Sequence, residues 1–333
     1  MSKIDFVIPW VDGSDPDWIA EMNRYTSLNG DKREVRFRDW DLLKYWFRGV
    51  EIFTPWVHRI HFITWGHLPA WLNTKCKKLN IVLHEDYIPS KYLPTFSSRT
   101  IELNIHRIKN LSQRFVYFND DMFIINRLKQ SDFFFRGKPC CMAGLGIPSG
   151  LEEKIYVNIL LNNNRIINKH FKAKEVMKKQ FFKFFHYRYG LRELLRNSAL
   201  LPWCQDFFPG FHVEHGPNAY YKKTIEDVWA AEGNYLDEVC MHKFRTMDDV
   251  NQYLFLWWQW CKGDFHPYNL RKQYTFMKMD YNVEYIQNTI VEKSSPIIVL
   301  NDTDIAIDKI DTIRESITES FEQILPNKSS FEL

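Results

Sequence analysis

Cysteine is sparse and irregular in this chain: six residues in 333, with no CxxC pair and no metal-finger spacing. That argues against a zinc scaffold and against a disulfide framework. Cys140 and Cys141 are adjacent, an awkward arrangement for one ordinary bridge, so reduced and mostly buried thiols in a cytoplasmic protein are expected. No apolar run approaches the ~18 residues needed to span a bilayer. The start, Met1-Ser2-Lys3-Ile4-Asp5, enters a strand-like run without a basic-then-apolar leader. The expectation is a soluble protein, or one that at most lies on a membrane surface. A large charge excess is also missing, with 44 Lys and Arg against 41 Asp and Glu. This argues against a nucleic-acid-coating protein, and no nucleic-acid partner is expected. Neither an internal repeat nor a low-complexity linker is visible. What the chain has in excess is aromatics: 26 Phe, 12 Trp and 16 Tyr, 16% of the residues. With 45% hydrophobic residues it can fill one large core or two domains.

The first 135 residues alternate strand-like and helix-like patterns. Ile4 to Pro9 is a short apolar run that ends in a turn-forming Asp12-Gly13-Ser14-Asp15-Pro16. Leu42, Leu43, Trp46, Phe47 and Val50 recur at helical spacing. Arg59 to Thr64 and Asn80 to Leu83 read as strands. Ile101, Ile105, Ile108 and Leu111 mark a further helix, and Phe115 to Phe118 is a buried strand running into Asn119-Asp120-Asp121. Strands separated by helices predict an α/β fold with a mostly parallel sheet, in which ligands sit beyond the carboxyl ends of the strands.

The middle differs in character. From Lys169 to Arg196 there are nine Lys or Arg against two Glu, interleaved with seven Phe and Tyr. This segment is either a solvated basic helix whose aromatics pack on the core, the favoured reading, or a surface that touches an anionic membrane or an acceptor. A helix is predicted over Ala219 to Ala231, and the aromatic run Tyr253 to Trp260 reads as core. A strand over Ile297 to Leu300 leads into Asn301-Asp302, then an amphipathic helix over Ile310 to Ile324.

Three carboxylate-bearing turns thus follow apparent strands: Asp12/Asp15, Asp120/Asp121 and Asn301/Asp302. Hard oxygen ligands of this kind suit Mg²⁺ or Mn²⁺. Singly, each is as readily a turn or helix cap; three in one sheet tilt the balance towards a metal site. His212 and His215 lie on a loop, where an accessible imidazole is suited to general-base work. Arg245 is a candidate phosphate clamp, because a guanidinium is a fixed bidentate donor, or else a structural salt bridge.

Read together, these stretches resemble the Stealth family of hexose-1-phosphate transferases. The resemblance is carried by Ile4 to Asp15, by Arg36-Phe37-Arg38-Asp39, and by Leu93-Pro94-Thr95-Phe96-Ser97-Ser98 followed by Asn119-Asp120-Asp121. It continues in His215-Gly216-Pro217, His242-Lys243-Phe244-Arg245, Leu300-Asn301-Asp302 and Pro326 to Leu333. The resemblance implies a nucleotide-diphosphosugar-transferase-like (GT-A-like) core with a helical insertion. It divides the chain into a nucleotide-sugar-binding part (1–141), a variable basic and aromatic insertion (142–208) and the remainder of the core (209–333). The implied reaction moves a hexose-1-phosphate from a UDP-sugar to a glycan hydroxyl with release of UMP, in capsule, exopolysaccharide or cell-wall glycan synthesis. It further implies His215, Arg245 and Asp15 as catalytic residues and Asp121 and Asp302 as ligands of Mg²⁺ (or Mn²⁺). Asp12, Arg36, Asp39, Ser97, Ser98, Asn119, Asp120 and Asn301 would bind substrate. Where the family often carries a second His soon after the His-x-Pro, this chain has Asn218, which leaves His215 as the base candidate. The expected location is the cytoplasm, with peripheral membrane contact through 169–196 as the alternative to a solvated basic helix. The rival readings are a metal-dependent glycosyltransferase releasing UDP, a carbohydrate-binding protein without activity, and a hydrolase built on the same carboxylates.

Overall fold

The computed structural model describes residues 3–148, 155–303 and 305–333; the stretch 149–154 of the expected insertion lies outside the described residues. The strands that shape the molecule are β1 (Asp5–Pro9), β2 (Ile60–Thr64), β3 (Leu79–Leu83), β4 (Arg114–Tyr117), β5 (Met122–Ile124), β6 (Asn218–Tyr221), β7 (Tyr274–Lys278) and β8 (Ile297–Asn301). The main sheet has the order β6-β4-β1-β2-β3, with β4, β1, β2 and β3 parallel and β6 antiparallel at the edge. A second sheet, β7-β8-β5, pairs β7 with β8 in parallel and β8 with β5 in antiparallel register. The mostly parallel α/β sheet flanked by helices is the architecture expected from the alternating pattern.

Both faces of the main sheet are covered, which is why its strands are near-continuous apolar runs. Along β1, Phe6 and Ile8 point into one cluster with Trp46, Phe47 and Phe62. Val7 points the opposite way, into a cluster with Ile63, Phe115 and Tyr117. The helices that matter below are α1 (Pro16–Asn23), α2 (Leu43–Phe53), α3 (Ser98–Leu103), α4 (Ile155–His170), α5 (Ala173–Phe184), α6 (Leu191–Leu200), α7 (Lys222–Met241), α8 (Tyr253–Lys262), α9 (Val283–Val291) and α10 (Ile307–Ile324). Every residue of α8 from Tyr253 to Cys261 is buried, so this all-round apolar helix is core, as its composition suggests. All six cysteines are free, and all but Cys76 are buried.

Two elements differ from expectation. The segment 101–111 is not one helix. At Asn104 the side-chain amide donates to the Thr100 carbonyl at 2.8 Å, taking the acceptor that the next helical amide needs. Helix α3 ends there, and only a 3₁₀ turn over Ile105–Arg107 follows. The predicted helix over 219–231 begins later, because Asn218–Tyr221 pairs with β4 as an edge strand and buries Ala219 and Tyr220 against the sheet. Helix α7 then runs from Lys222 to Met241.

Long-range polar contacts close the molecule. Arg48, buried on α2, donates to Glu332 at 2.9 and 3.0 Å, to Glu322 at 3.2 Å and to the Leu325 carbonyl at 2.8 Å. Phe331 packs beside Phe47, with ring centroids 5.2 Å apart.

Candidate active site

The acidic turns gather where the strands end. β1 leads into Asp12 and Asp15, and β2 leads into Trp65-Gly66-His67. The chain leaves β4 through Asn119-Asp120-Asp121 and enters β5, so this turn bridges the two sheets. The Leu300 amide donates to the Asp121 carbonyl at 2.8 Å, which sets the end of β8, and with it Asn301 and Asp302, beside Asp121.

At the centre is an ion pair: His215 Nε2 lies 2.8 Å from Asp121 Oδ2. Burial opposes a charged imidazole, but the Asp121 charge and hydrogen bond, with Glu102 and Asp120 beyond, outweigh it and raise the His215 pKa. The ring stands edge-on to Phe276 at 5.8 Å, and Nδ1 faces the Tyr253 hydroxyl at 3.5 Å. The loop reaches this position because residue 216 is glycine. A Cβ there would fall 2.4 Å from the Tyr274 ring, so any side chain would push His215 away.

One wall of the site is anionic. Asp120 is exposed, with protein crowded around its carboxyl. That enclosure, with Asp121 and Asp39 nearby, pushes its pKa up to about 7. Asp39 is likewise raised by burial, against hydrogen bonds from the Asp41 amide (2.9 Å) and Trp10 Nε1 (3.0 Å). Asp121 Oδ1 is buried with no hydrogen-bond partner. The other wall is cationic. Burial, then the neighbouring Arg99 and Arg36 charges, push the Arg245 guanidinium down, though an arginine stays protonated at neutral pH. The backbone of Arg245 bridges to Asp31, which binds Arg33 and Arg36. Carboxylates and guanidinium groups within electrostatic reach of one another, as Asp120 and Arg245 are, suit a cation–polyanion pair.

The remaining candidates occupy less open roles. Asp15 caps α1, its Oδ1 accepting from the Trp18 amide at 2.8 Å, while Oδ2 lies 3.8 Å from His67 Nδ1. Asp12 Oδ1 accepts from the Ser14 amide and hydroxyl, and its own amide donates to His67 Nε2 at 2.8 Å. Ser97 caps α3, whereas the buried Ser98 hydroxyl has no hydrogen-bond partner. The Asn119 amide donates to Met122 Sδ, and Asn301 Nδ2 to the Asp302 carbonyl. Arg38 Nη1 lies 3.1 Å from Asp302 Oδ1. Among the described residues, no three His, Cys, Asp or Glu side chains are gathered at metal-holding geometry. His212 turns away to Glu214, at 3.1 Å.

Sequence reasoning did not single out Arg99, Glu102, His67, Arg38 or Tyr253. Arg99 Nη1 lies 3.1 Å from Glu102 Oε1, and Glu102 Oε2 accepts from the Gln252 amide at 3.2 Å, which ties the cleft wall to the start of α8. The one available signal was Arg99 three residues before Glu102 on a helix, which is too common to stand out. A charged network runs from the buried Glu193 to the His215 loop. Glu193 on α6 pairs with Arg271 at 2.6 Å, and Arg271 also binds Glu214 at 2.6 Å. The His212 hydrogen bond first, with Arg271, holds the Glu214 carboxyl down at about 2.

Residues 2–30 match the Stealth protein conserved region 1 model, and residues 36–141 match conserved region 2. A "Capsular polysaccharide phosphotransferase WcwK" of Streptococcus pneumoniae is 39% identical, over 100% of this chain and 98% of that protein. An "Exopolysaccharide phosphotransferase cps2G" of Lactiplantibacillus plantarum is 34% identical, over 99% and 96%. A "Receptor polysaccharide phosphotransferase WefC" of Streptococcus gordonii is 34% identical, over the whole of both chains. Among solved structures, the galactosyltransferase LgtC aligns over 96% of each chain at 11% identity and a TM-score of 0.40. At that level of likeness the fold description rests on the chain's own sheet topology. Matched over its whole length by phosphotransferases and in both conserved regions by the family models, the chain belongs to the Stealth family and is a transferase enzyme.

Proposed function

We propose that the protein transfers a hexose-1-phosphate, or an N-acetylhexosamine-1-phosphate, from a UDP-sugar to a glycan hydroxyl, releasing UMP, in capsular or exopolysaccharide synthesis. The observation that carries this reading is the His215–Asp121 pair beside Asp120, a carboxyl whose charge the Arg245 guanidinium also reaches. In the proposed reaction the acceptor oxygen attacks the β-phosphorus. The bond from that phosphorus to the bridging oxygen breaks, and UMP departs with the electron pair. With Asp121 accepting from Nε2–H, the acceptor proton passes to His215 Nδ1, a contribution of about 10²–10⁴-fold. Arg245, with Arg99 and Arg36, offsets charge on the transferred phosphoryl oxygens, since such transfers depend on positioning and neutralisation.

The residues fit a divalent cation. Asp121 Oδ1 is buried and unpartnered, Asp302 follows two residues after Leu300, whose amide donates to the Asp121 carbonyl, and burial raises the pKa of both Asp120 and Asp39. Mg²⁺ commonly takes only one or two carboxylates and completes its shell with substrate phosphates and water, so a ready three-residue cluster is not required. When bound, it would neutralise the diphosphate. Residues 1–141 and 209–333 would form this catalytic core, with 142–208 as the insertion, in a cytoplasmic enzyme.

The test is incubation with a panel of UDP-sugars, Mg²⁺ and glycan acceptors, with nucleotide release resolved. UMP together with an alkali-sensitive phosphodiester product is expected. UDP release would instead identify cleavage at the sugar C1–O bond, and nucleotide release without acceptor would identify a hydrolase.

A further inference from the structure

Helix α6 is built inside out. Its inward face carries Glu193 and Asn197, both fully buried, while Leu191 and Leu195, one turn apart, are 72% and 61% exposed. The inward polar groups have charged or hydrogen-bonding partners. Glu193 pairs with Arg196 and Arg271, and Asn197 accepts from the Leu145 amide at 2.7 Å and donates to the Phe184 carbonyl at 2.7 Å. A surface helix of a soluble protein normally does the reverse. The elements packed on α6 continue the pattern. Tyr187 on the preceding turn is 75% exposed and Trp203 on the following one 69%. Phe182 near the end of α5 and Phe207 beyond Trp203 are exposed as well. These apolar tips share their segment with mostly basic charge: from 172 to 207 the exposed charged residues are Lys172, Lys174, Lys178, Lys179, Arg188 and Arg192 against Glu175 and Asp206.

We propose that this face, from the end of α5 through α6 to Phe207, docks onto an anionic lipid bilayer surface. The chemistry matches: aromatic and leucine tips enter the headgroup boundary while lysines and arginines meet lipid phosphates. A second copy of the chain fits poorly, because a two-fold contact through this face would set like charges against each other. No helix of the described residues is long and apolar enough to cross a membrane, so contact is with the surface. The inference does not depend on the chemistry proposed for the cleft.

Sedimentation of the full-length protein with phosphatidylcholine vesicles, with and without phosphatidylglycerol, tests it. Binding is expected only to the phosphatidylglycerol-containing vesicles, and raised salt should weaken it. Leu191→Ser with Leu195→Ser should lower the vesicle partition about tenfold or more. Lys178→Glu with Lys179→Glu should weaken it independently. Ile307→Ser, at an 81% exposed position on α10, should bind like the wild type. Circular dichroism of each variant shows whether it is folded. Failure of the wild type to sediment, equal binding to neutral vesicles, or undiminished binding by both folded variants overturns the proposal. So does self-association by light scattering that the leucine variant abolishes without any vesicle binding by the wild type, since the face would then be an interface between copies.

Discussion

At the scale of single residues, the site turns on the pairing of His215 with Asp121. Because the folded-state His215 pKa is raised above 6.5, the pairing stabilises the fold fully below that value. The contribution disappears as pH rises through the raised pKa. As the proposed base, His215 must be neutral to accept a proton, so kcat/KM should climb with pH along a limb centred above 6.5. Asp121→Asn should shift the His215 ring titration, followed by NMR, to lower pH, and His215→Ala should cost about 10²–10⁴-fold in turnover. An unmoved titration in the Asn variant would show that Asp121 does not set the basicity of His215. Of this arrangement, the sequence made Asp121 and His215 legible, because an acidic pair after a buried strand and a loop histidine stand out on their own. Arg99, Glu102 and His67 were not legible. Arg99 and Glu102 look like an ordinary helical ion pair until Gln252, 150 residues on, is folded against them. His67 gains meaning only when the Asp12 amide, 55 residues earlier, donates to it.

At the scale of elements, hydrophobic period decided most of the fold in advance. Strands β1, β2 and β4 were readable because burial on both faces demands unbroken apolar runs. The failures came where a side chain or an edge overrode the period. Asn104 consumes a helical acceptor within a regular isoleucine pattern, and Asn218–Tyr221 becomes a strand because β4 offers an open edge. The packing of α2 on β5 gives a prediction of the same kind. Gly49 lies mid-helix, where alanine normally adds about 1 kcal/mol. Here a Cβ would stand 2.2 Å from the Ile124 carbonyl oxygen, a backbone atom with little room to yield. Gly49→Ala should therefore destabilise the protein by about 1–3 kcal/mol in urea denaturation, against helix propensity. A gain in stability would mean that α2 and β5 separate more easily than their packing indicates.

At the scale of the whole molecule, Arg48 joins α2 to the C-terminal segment. Its charge is favoured first by the hydrogen bond it donates to Glu332, and the Glu332 carboxyl is correspondingly held down against burial. Arg48→Leu leaves Glu332 buried without its cation and should cost about 3–5 kcal/mol, seen as a lower denaturation midpoint. Adding Glu332→Leu should recover part of the loss, and equal midpoints in all three proteins would show the pair to be inert. The Glu193–Arg271–Glu214 chain has a different consequence. It runs from α6 to the residue next to His215, so the 142–208 segment is not an interchangeable module. Grafting another protein's 142–208 segment into this core would remove a buried acid and leave Arg271 with half of its counter-charge. Recombination across these borders would then have to replace matched pairs of residues, so changes at Glu193 and at Glu214 would have to proceed in step.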